Sequence, residues 1–228
     1  HGIPVVPQCS GFNHGGMAIP RKGGILVDLR RMDQVCSVDE ESMTVTVSPG
    51  LRMRYVWWEV INYRATEGFH LKPILPMTFG SVSLLSNYVS RGGAGMAVKY
   101  GINAELSSDL TWVLPNGEIL KVGASAIPGV GRVGLHYSPG PDLFGMFYNA
   151  DGMFGICTEL TAKCYPEPDN ADEFEEIISC ANFGDDHHRA FCLAVEAIRE
   201  VAQENVADFM YKAHPGMVAL TIVENFKG

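Results

Sequence analysis

Glycine-bearing turns recur beside short β-branched runs along this chain, and few architectures accommodate that pattern. The first is Pro7-Gln8-Cys9-Ser10-Gly11-Phe12-Asn13-His14-Gly15-Gly16, directly after an apolar run that opens at Ile3. The second is Gly80-Ser81-Val82-Ser83-Leu84-Leu85-Ser86-Asn87, followed by Arg91-Gly92-Gly93-Ala94-Gly95 and Lys99-Tyr100-Gly101. The third runs from Gly140 through Asn149-Ala150-Asp151-Gly152 to Gly155-Ile156, where a strand begins. A glycine-rich turn after a strand lets backbone N–H groups converge on an anion, and the missing side chains let a ligand approach the backbone closely. The first loop contains no lysine, which suits a pyrophosphate held by amides and hydroxyls. Neither G-x-x-x-x-G-K-[ST] nor G-x-G-x-x-G is present. Each segment on its own also reads as an ordinary tight connection; the argument for a ligand rests on all three together.

Around these turns the elements are short. Residues 24–29 and 43–47 are β-branched runs bounded by turn formers, the second ending at Pro49-Gly50. Val56, Val60 and Trp57, Ile61 lie at helical spacing and predict a helix over 51–64. Residues 73–101, rich in Gly, Ser and Pro, read as loop. Leu110 to Leu114 and Glu118 to Val122 flank Pro115-Asn116-Gly117, and Asn-Gly predicts a hairpin. Residues 123–142 read as loop, and 156–163 as a strand. Tyr165-Pro166-Glu167-Pro168-Asp169 marks a domain boundary. Beyond it, a strand over 174–181 precedes a helix over 186–206, with Phe191, Val195, Ile198 and Ala202 on one face and Asp185 or Asp186 as its cap.

Composition excludes several classes. Hydrophobic residues make up 46% of the 228 and charged residues 19%, so a core forms and the chain is not a disordered tail. A formal net charge of -9 argues against a nucleic-acid partner. No apolar run reaches the length of a membrane span. The six cysteines show no C-x-x-C and no zinc-finger spacing; they read as reduced, buried thiols, which points to a cytoplasmic protein. His187 and His188 do not suggest a metal site, because adjacent residues on a helix point about 100° apart. Trp57-Trp58 reads as core plus rim. The chain opens as if within a domain, with a strand at once and no initiator Met, and is expected to be one piece of a longer polypeptide.

In this order and spacing the segments resemble the FAD-binding domain of the vanillyl-alcohol oxidase and p-cresol methylhydroxylase superfamily, which includes the glycolate oxidase flavoprotein subunit and D-lactate dehydrogenases. "GIPVVPQCSGFNHGG" resembles its strand and pyrophosphate loop, and "GGILVDLRRMDQV…TVTVSPG" its next strands. "SLLSNYVSRGGAG…KYG" resembles its second pyrophosphate-facing segment, "VLPNGEILKVG" its hairpin, and "GPDLFGMFYNADGMFGICTELTAK" its closing motif.

The resemblance implies an α+β fold. Residues 1–168 would form a two-subdomain FAD-binding domain without its usual first strand–helix unit, and 169–228 the beginning of an α+β substrate cap. Cys9, Ser10, Gly11, Phe12, Asn13, His14 and Gly15 would cradle the pyrophosphate, with Ser83, Ser86 and Asn87 approaching from the other side. Gly155 and Ile156 would meet the flavin or adenine through backbone atoms. Some relatives link FAD covalently to a histidine of the first loop; His14 is about one residue out of that register, so FAD held non-covalently is expected. The implied activity is hydride transfer from a small hydroxylated substrate to flavin N5: a 2-hydroxy acid first, a 4-alkylphenol or aryl alcohol second. A flavin-binding subunit that relays electrons inside a larger complex is the rival. An electron-accepting protein or a second copy of the chain are the partners considered. The phenol-oxidising branch carries an acid directly after its Tyr-Gly pair, whereas Tyr100-Gly101 is followed by Ile102-Asn103. No catalytic residue is assigned, because the family's base comes mostly from the cap.

Overall fold

The structure is a computed structural model, described at residues 2–12, 15–56, 58–60, 71–73, 76, 78–92, 100–137, 140–166, 175–182, 186, 189, 192–193, 195–197, 199–200, 209–214 and 217–224. The chain divides into two compact units, residues 1–93 with 102–166, and residues 94–101 with 167–228.

Two sheets build the first unit. β1 (Val5–Gln8) and β2 (Ile25–Asp28) pair in parallel, from Val5 opposite Ile25 to Gln8 opposite Asp28. The second sheet has six strands: β3 (Val35–Asp39), β4 (Thr44–Val47), β5 (Leu71–Pro73), β6 (Ser107–Val113), β7 (Ile119–Gly123) and β8 (Ile156–Pro166). Its order is β3-β4-β8-β6-β7, with β5 paired to the far end of β8. All its pairings are antiparallel.

The long β8 is central because its apolar residues are buried between two neighbours; Leu160 and Ala162 are fully buried. β4 alternates Thr and Val, and all four residues are buried, so this sheet is covered on both faces there. A buried hydroxyl needs a partner, and Thr46 Oγ1 meets Thr161 Oγ1 across the β4–β8 pair at 2.9 Å. The β6–β7 hairpin forms where Asn-Gly predicts it. Leu114 N donates to Glu118 O at 2.8 Å, and Asn116 Oδ1 accepts from Glu118 N at 3.0 Å.

Three features of this unit differ from the sequence expectation. β3 was not anticipated: its polar run lacks an alternating pattern, and it forms as an edge strand, with an irregularity between Val35 and Ser37, because β4 supplies a pairing edge. The stretch 73–101 is not loop throughout, since Leu84–Val89 forms a helix. Its N-cap Ser83 accepts from Ser86 N through its hydroxyl, and Leu84, Leu85 and Tyr88 are buried beneath it. A cap and one apolar face suffice for so short a helix. Within 123–142, read as loop, Ala124–Ala126 forms a 3-10 turn. Of the helix expected over 51–64, residues 53–56 and 58–60 are helical with Val56 and Val60 buried; Trp57 and 61–64 lie outside the described residues.

The second unit holds an antiparallel sheet of β9 (Glu175–Asn182), β10 (Phe209–His214) and β11 (Met217–Glu224), in the order β10-β11-β9. The sequence reading anticipated β9 but not the β10–β11 pair. The described positions between 189 and 200 are helical, and Asp186 Oδ1 accepts from Arg189 N at 3.2 Å as a cap. Val195, expected on the apolar face of that helix, is exposed; Phe191, Ile198, Ala202, His187 and His188 lie outside the described residues. Among the described residues no helix is long and apolar enough to cross a membrane.

Candidate functional site: a cleft against the central sheet

The first unit carries a cleft that is open to solvent. The chain leaving β1 makes one wall: Pro7, Gln8, Cys9, Ser10, Gly11 and Phe12 line it. The helix Leu84–Val89 faces this wall with Leu85, Ser86 and Val89, and Ser90 follows. The central sheet supplies the remaining wall through Trp112 on β6 and Cys157 on β8, with Asp151, Gly152 and Gly155 beside them.

Each wall is set by local chemistry. Gly152 and Gly155 sit at φ of +85° and +133°, a region other residues rarely enter. A Cβ on Gly155 would lie 2.2 Å from Val113 O, and one on Gly152 would lie 2.9 Å from Pro7 Cδ. Glycine here therefore serves close packing: it lets the start of β8 lie against β6 and lets the turn lie against Pro7 of β1. The helix is turned by its spacing. Ser83 and Asn87, four residues apart, share a side, and both face the protein. Ser83 Oγ donates to Pro49 O at 2.6 Å while accepting from Ser86 N at 3.1 Å. Asn87 Oδ1 accepts from Asn103 Nδ2 at 2.7 Å.

Of the residues singled out in the sequence, Cys9, Ser10, Gly11, Phe12, Ser86 and Gly155 line this one cleft. Neither Ser83 nor Asn87 lines the cleft: the Ser83 hydroxyl caps the helix, and the Asn87 Oδ1 accepts from Asn103. Ile156 does not line it either, since alternation along β8 puts Gly155 and Cys157 on the other side. Gly15 borders a separate surface hollow with Gly16, Ile19 and Arg21. Asn13 and His14 lie outside the described residues. Sequence reasoning missed Leu85, Val89 and Ser90, whose helix was read as loop. It also missed Trp112 and Cys157; their strands were visible, but their pairing register was not.

The electrostatics are spare. Asp151 is the one charged side chain among the described residues lining the cleft. Burial pushes the Cys9 thiol up to about 11, offset in part by contact with the Ser83 side chain. Burial likewise holds the Cys157 thiol well above its ordinary value. Both remain neutral at physiological pH and bring no negative charge to a bound anion. A phosphate group in such a cleft would be held by amides and hydroxyls, without a lysine or arginine among the described lining residues.

A family model described as "FAD binding domain" matches residues 1–123. The chain belongs to that family. The glycolate oxidase subunit GlcD of Bacillus subtilis is 30% identical over 169 residues, covering 74% of this chain and 33% of that protein. A D-lactate dehydrogenase of Anaerostipes hadrus is 28% identical over 213 residues, covering 90% of this chain and 41% of its own length. The chain therefore spans between a third and two fifths of these curated relatives. Among solved structures, p-cresol methylhydroxylase with substrate bound superposes with a TM-score of 0.72 at 18% identity, over 98% of this chain and 48% of that one. That likeness establishes the fold as the p-cresol methylhydroxylase type.

The residues of this FAD-binding domain fit a flavin nucleotide. The cleft combines hydroxyl-bearing and backbone polar groups from three separate segments with an apolar wall, as a diphosphate attached to two flat heterocycles requires. Among the described residues the buried indole Nε1 of Trp112 has no hydrogen-bond partner.

Proposed function

We propose that this FAD-binding domain serves a dehydrogenase or oxidase acting on a small hydroxylated molecule, with a 2-hydroxy acid such as lactate or glycolate as the first class to test. The observation that carries the reading is the cleft itself, in which separate glycine-bearing segments meet around a site free of cationic side chains. The names of the relatives, a glycolate oxidase subunit and a D-lactate dehydrogenase, support the substrate class. FAD supplies a two-electron acceptor at flavin N5.

The chain's own residues bind and orient. The loop from Gln8 to Phe12 holds the diphosphate through backbone N–H groups and the Ser10 hydroxyl, and Ser86 and Ser90 approach from the helix. The family resemblance assigns Asn13 and His14, outside the described residues, to the same role. Gly152 and Gly155 let the start of β8 and the turn before it pack closely enough to border the site. In the overall reaction the substrate C–H bond gives up hydride, its O–H gives up a proton, and the alcohol becomes a carbonyl compound. The proton goes to a base of the substrate domain, of which residues 169–228 are the opening part and 1–168 the nucleotide-binding partner. FAD is held non-covalently.

A second reading, an electron-relay subunit, is favoured by one observation: the glycolate oxidase relatives are named as subunits. Phenol oxidation ranks below both, because Ile102 supplies no acid after Tyr100-Gly101. The test is anaerobic reduction of the full-length protein reconstituted with FAD. Bleaching of the flavin band by lactate or glycolate is expected. Bleaching by a 4-alkylphenol alone would move the substrate class, and bleaching only by a reduced iron–sulfur protein would favour the relay. A full-length protein that takes up no flavin would overturn the reading.

A further inference from the structure

We infer that the Phe12 ring seats a flat ring of the nucleotide at the open side of the cleft, and that Phe79 is a positioning residue that holds Phe12 there. This rests on the assignment of the cleft to FAD. Phe12 lines the cleft and is 44% exposed, so a ligand entering from solvent reaches it. Its ring centroid lies 5.2 Å from that of Phe79, with the two planes tilted at 60°, the separation of a favourable aromatic pair.

Phe79 is 66% exposed, so burial does not account for a phenyl ring at this position. Its backbone is nonetheless tied to the core. Val82 N donates to Phe79 O at 2.9 Å, Arg54 N to Gly80 O at 3.1 Å and Met53 N to Val82 O at 3.0 Å, and both Met53 and Val82 are buried. The loop that carries Phe12 follows β1, where the β1–β2 pair leaves Val5, Ile25 and Leu26 exposed. The ring contact therefore joins that loop to a segment anchored in the core, one that leads into the helix Leu84–Val89.

A phenyl ring has no donor or acceptor for a phosphate. What it offers is an apolar face or edge to another flat ring. FAD brings two such rings, the flavin and the adenine, and stacking on an aromatic side chain contributes to the binding of a nucleotide base.

The test uses the full-length protein stripped of flavin, with FAD affinity measured by titration calorimetry. Phe12→Ala is expected to weaken binding about tenfold, as loss of one stacked ring does. Phe79→Ala is expected to weaken it about threefold, as loss of one aromatic pair does, and Phe79→Tyr, which keeps the ring, to bind like the parent. In the Phe12→Ala background, adding Phe79→Ala should cost nothing further, because Phe79 acts through Phe12. A Phe79→Ala loss that persists undiminished in that background overturns the positioning role. A Phe12→Ala protein that binds FAD as tightly as the parent overturns the inference. Titration with FMN and with ADP separates the two rings: the loss should appear with one of them, and equal losses with both, or none with either, overturn the seat. A parent that binds no FAD overturns the cofactor assignment instead. If either alanine variant fails to fold, Phe12→Leu and Phe79→Leu, which keep apolar bulk without a ring, carry the same comparison.

Discussion

The two principal walls of the cleft are built differently. Trp112 and Cys157 belong to β6 and β8, in the middle of the six-stranded sheet, and both are buried, as are Leu110 on β6 and Leu160 and Ala162 on β8. The loop from Gln8 to Phe12 hangs from the β1–β2 pair, where Val5 is 47% exposed, Ile25 51% and Leu26 44%. Parallel strands are ordinarily covered on both faces, and a two-stranded sheet is marginal by itself. The sheet wall is therefore a product of folding and is in place before a ligand arrives. The loop wall is carried by this pair, whose apolar residues have fewer buried neighbours among the described residues than those of the sheet wall.

The sharpest way to break this comparison is to disturb the sheet wall. Gly155→Ala forces a Cβ against Val113 O at a φ that alanine rarely adopts. It is expected to cost about 3 kcal/mol, seen as a fall in the thermal midpoint whether or not FAD is added. A change under about 0.5 kcal/mol would show that the sheet wall yields and is not preformed. Ser83→Ala comes next. It removes the helix cap and leaves Pro49 O without its donor, at an expected cost of about 1–2 kcal/mol in chemical denaturation. Because Ser83 lies outside the cleft, FAD affinity should change much less than stability; a large loss of affinity at unchanged stability would return Ser83 to the ligand. The smallest effect belongs to Ile25→Thr on the exposed pair, within about 0.5 kcal/mol of the parent. If thermal unfolding shows it costing as much as Gly155→Ala, the two walls are equally anchored and the contrast fails.

Much of the site was legible because its signals are local. A glycine-bearing turn after a strand, the Asn116-Gly117 hairpin and the glycines ahead of β8 can each be read from neighbouring residues. Cys9 to Phe12 and Gly155 reached the cleft from that reading. The helix Leu84–Val89 was hidden because its sequence is rich in serine. Serine in a run reads as loop until one of them is seen to cap, and Ser83 does so only because Pro49 O and Leu51 are near it. Asn87 was misread for a related reason. Its partner Asn103 is distant in sequence, so nothing nearby shows that its amide is already engaged. β3 and the β10–β11 pair escaped notice because pairing, more than their own patterns, makes them strands.

What the sequence determined by itself is therefore the inventory: an apolar fraction large enough for a core, strands broken by glycine-bearing turns, and a cationless first loop suited to a diphosphate. Which side chains face that diphosphate was decided only in three dimensions. Register on β6 and β8 turns Trp112 and Cys157 toward the cleft and Ile156 away, and one helical turn carries Ser83 and Asn87 into the interior. The reason is physical: a residue's chemistry travels with its type, but its direction depends on the phase of the element it joins, and tertiary pairing sets that phase.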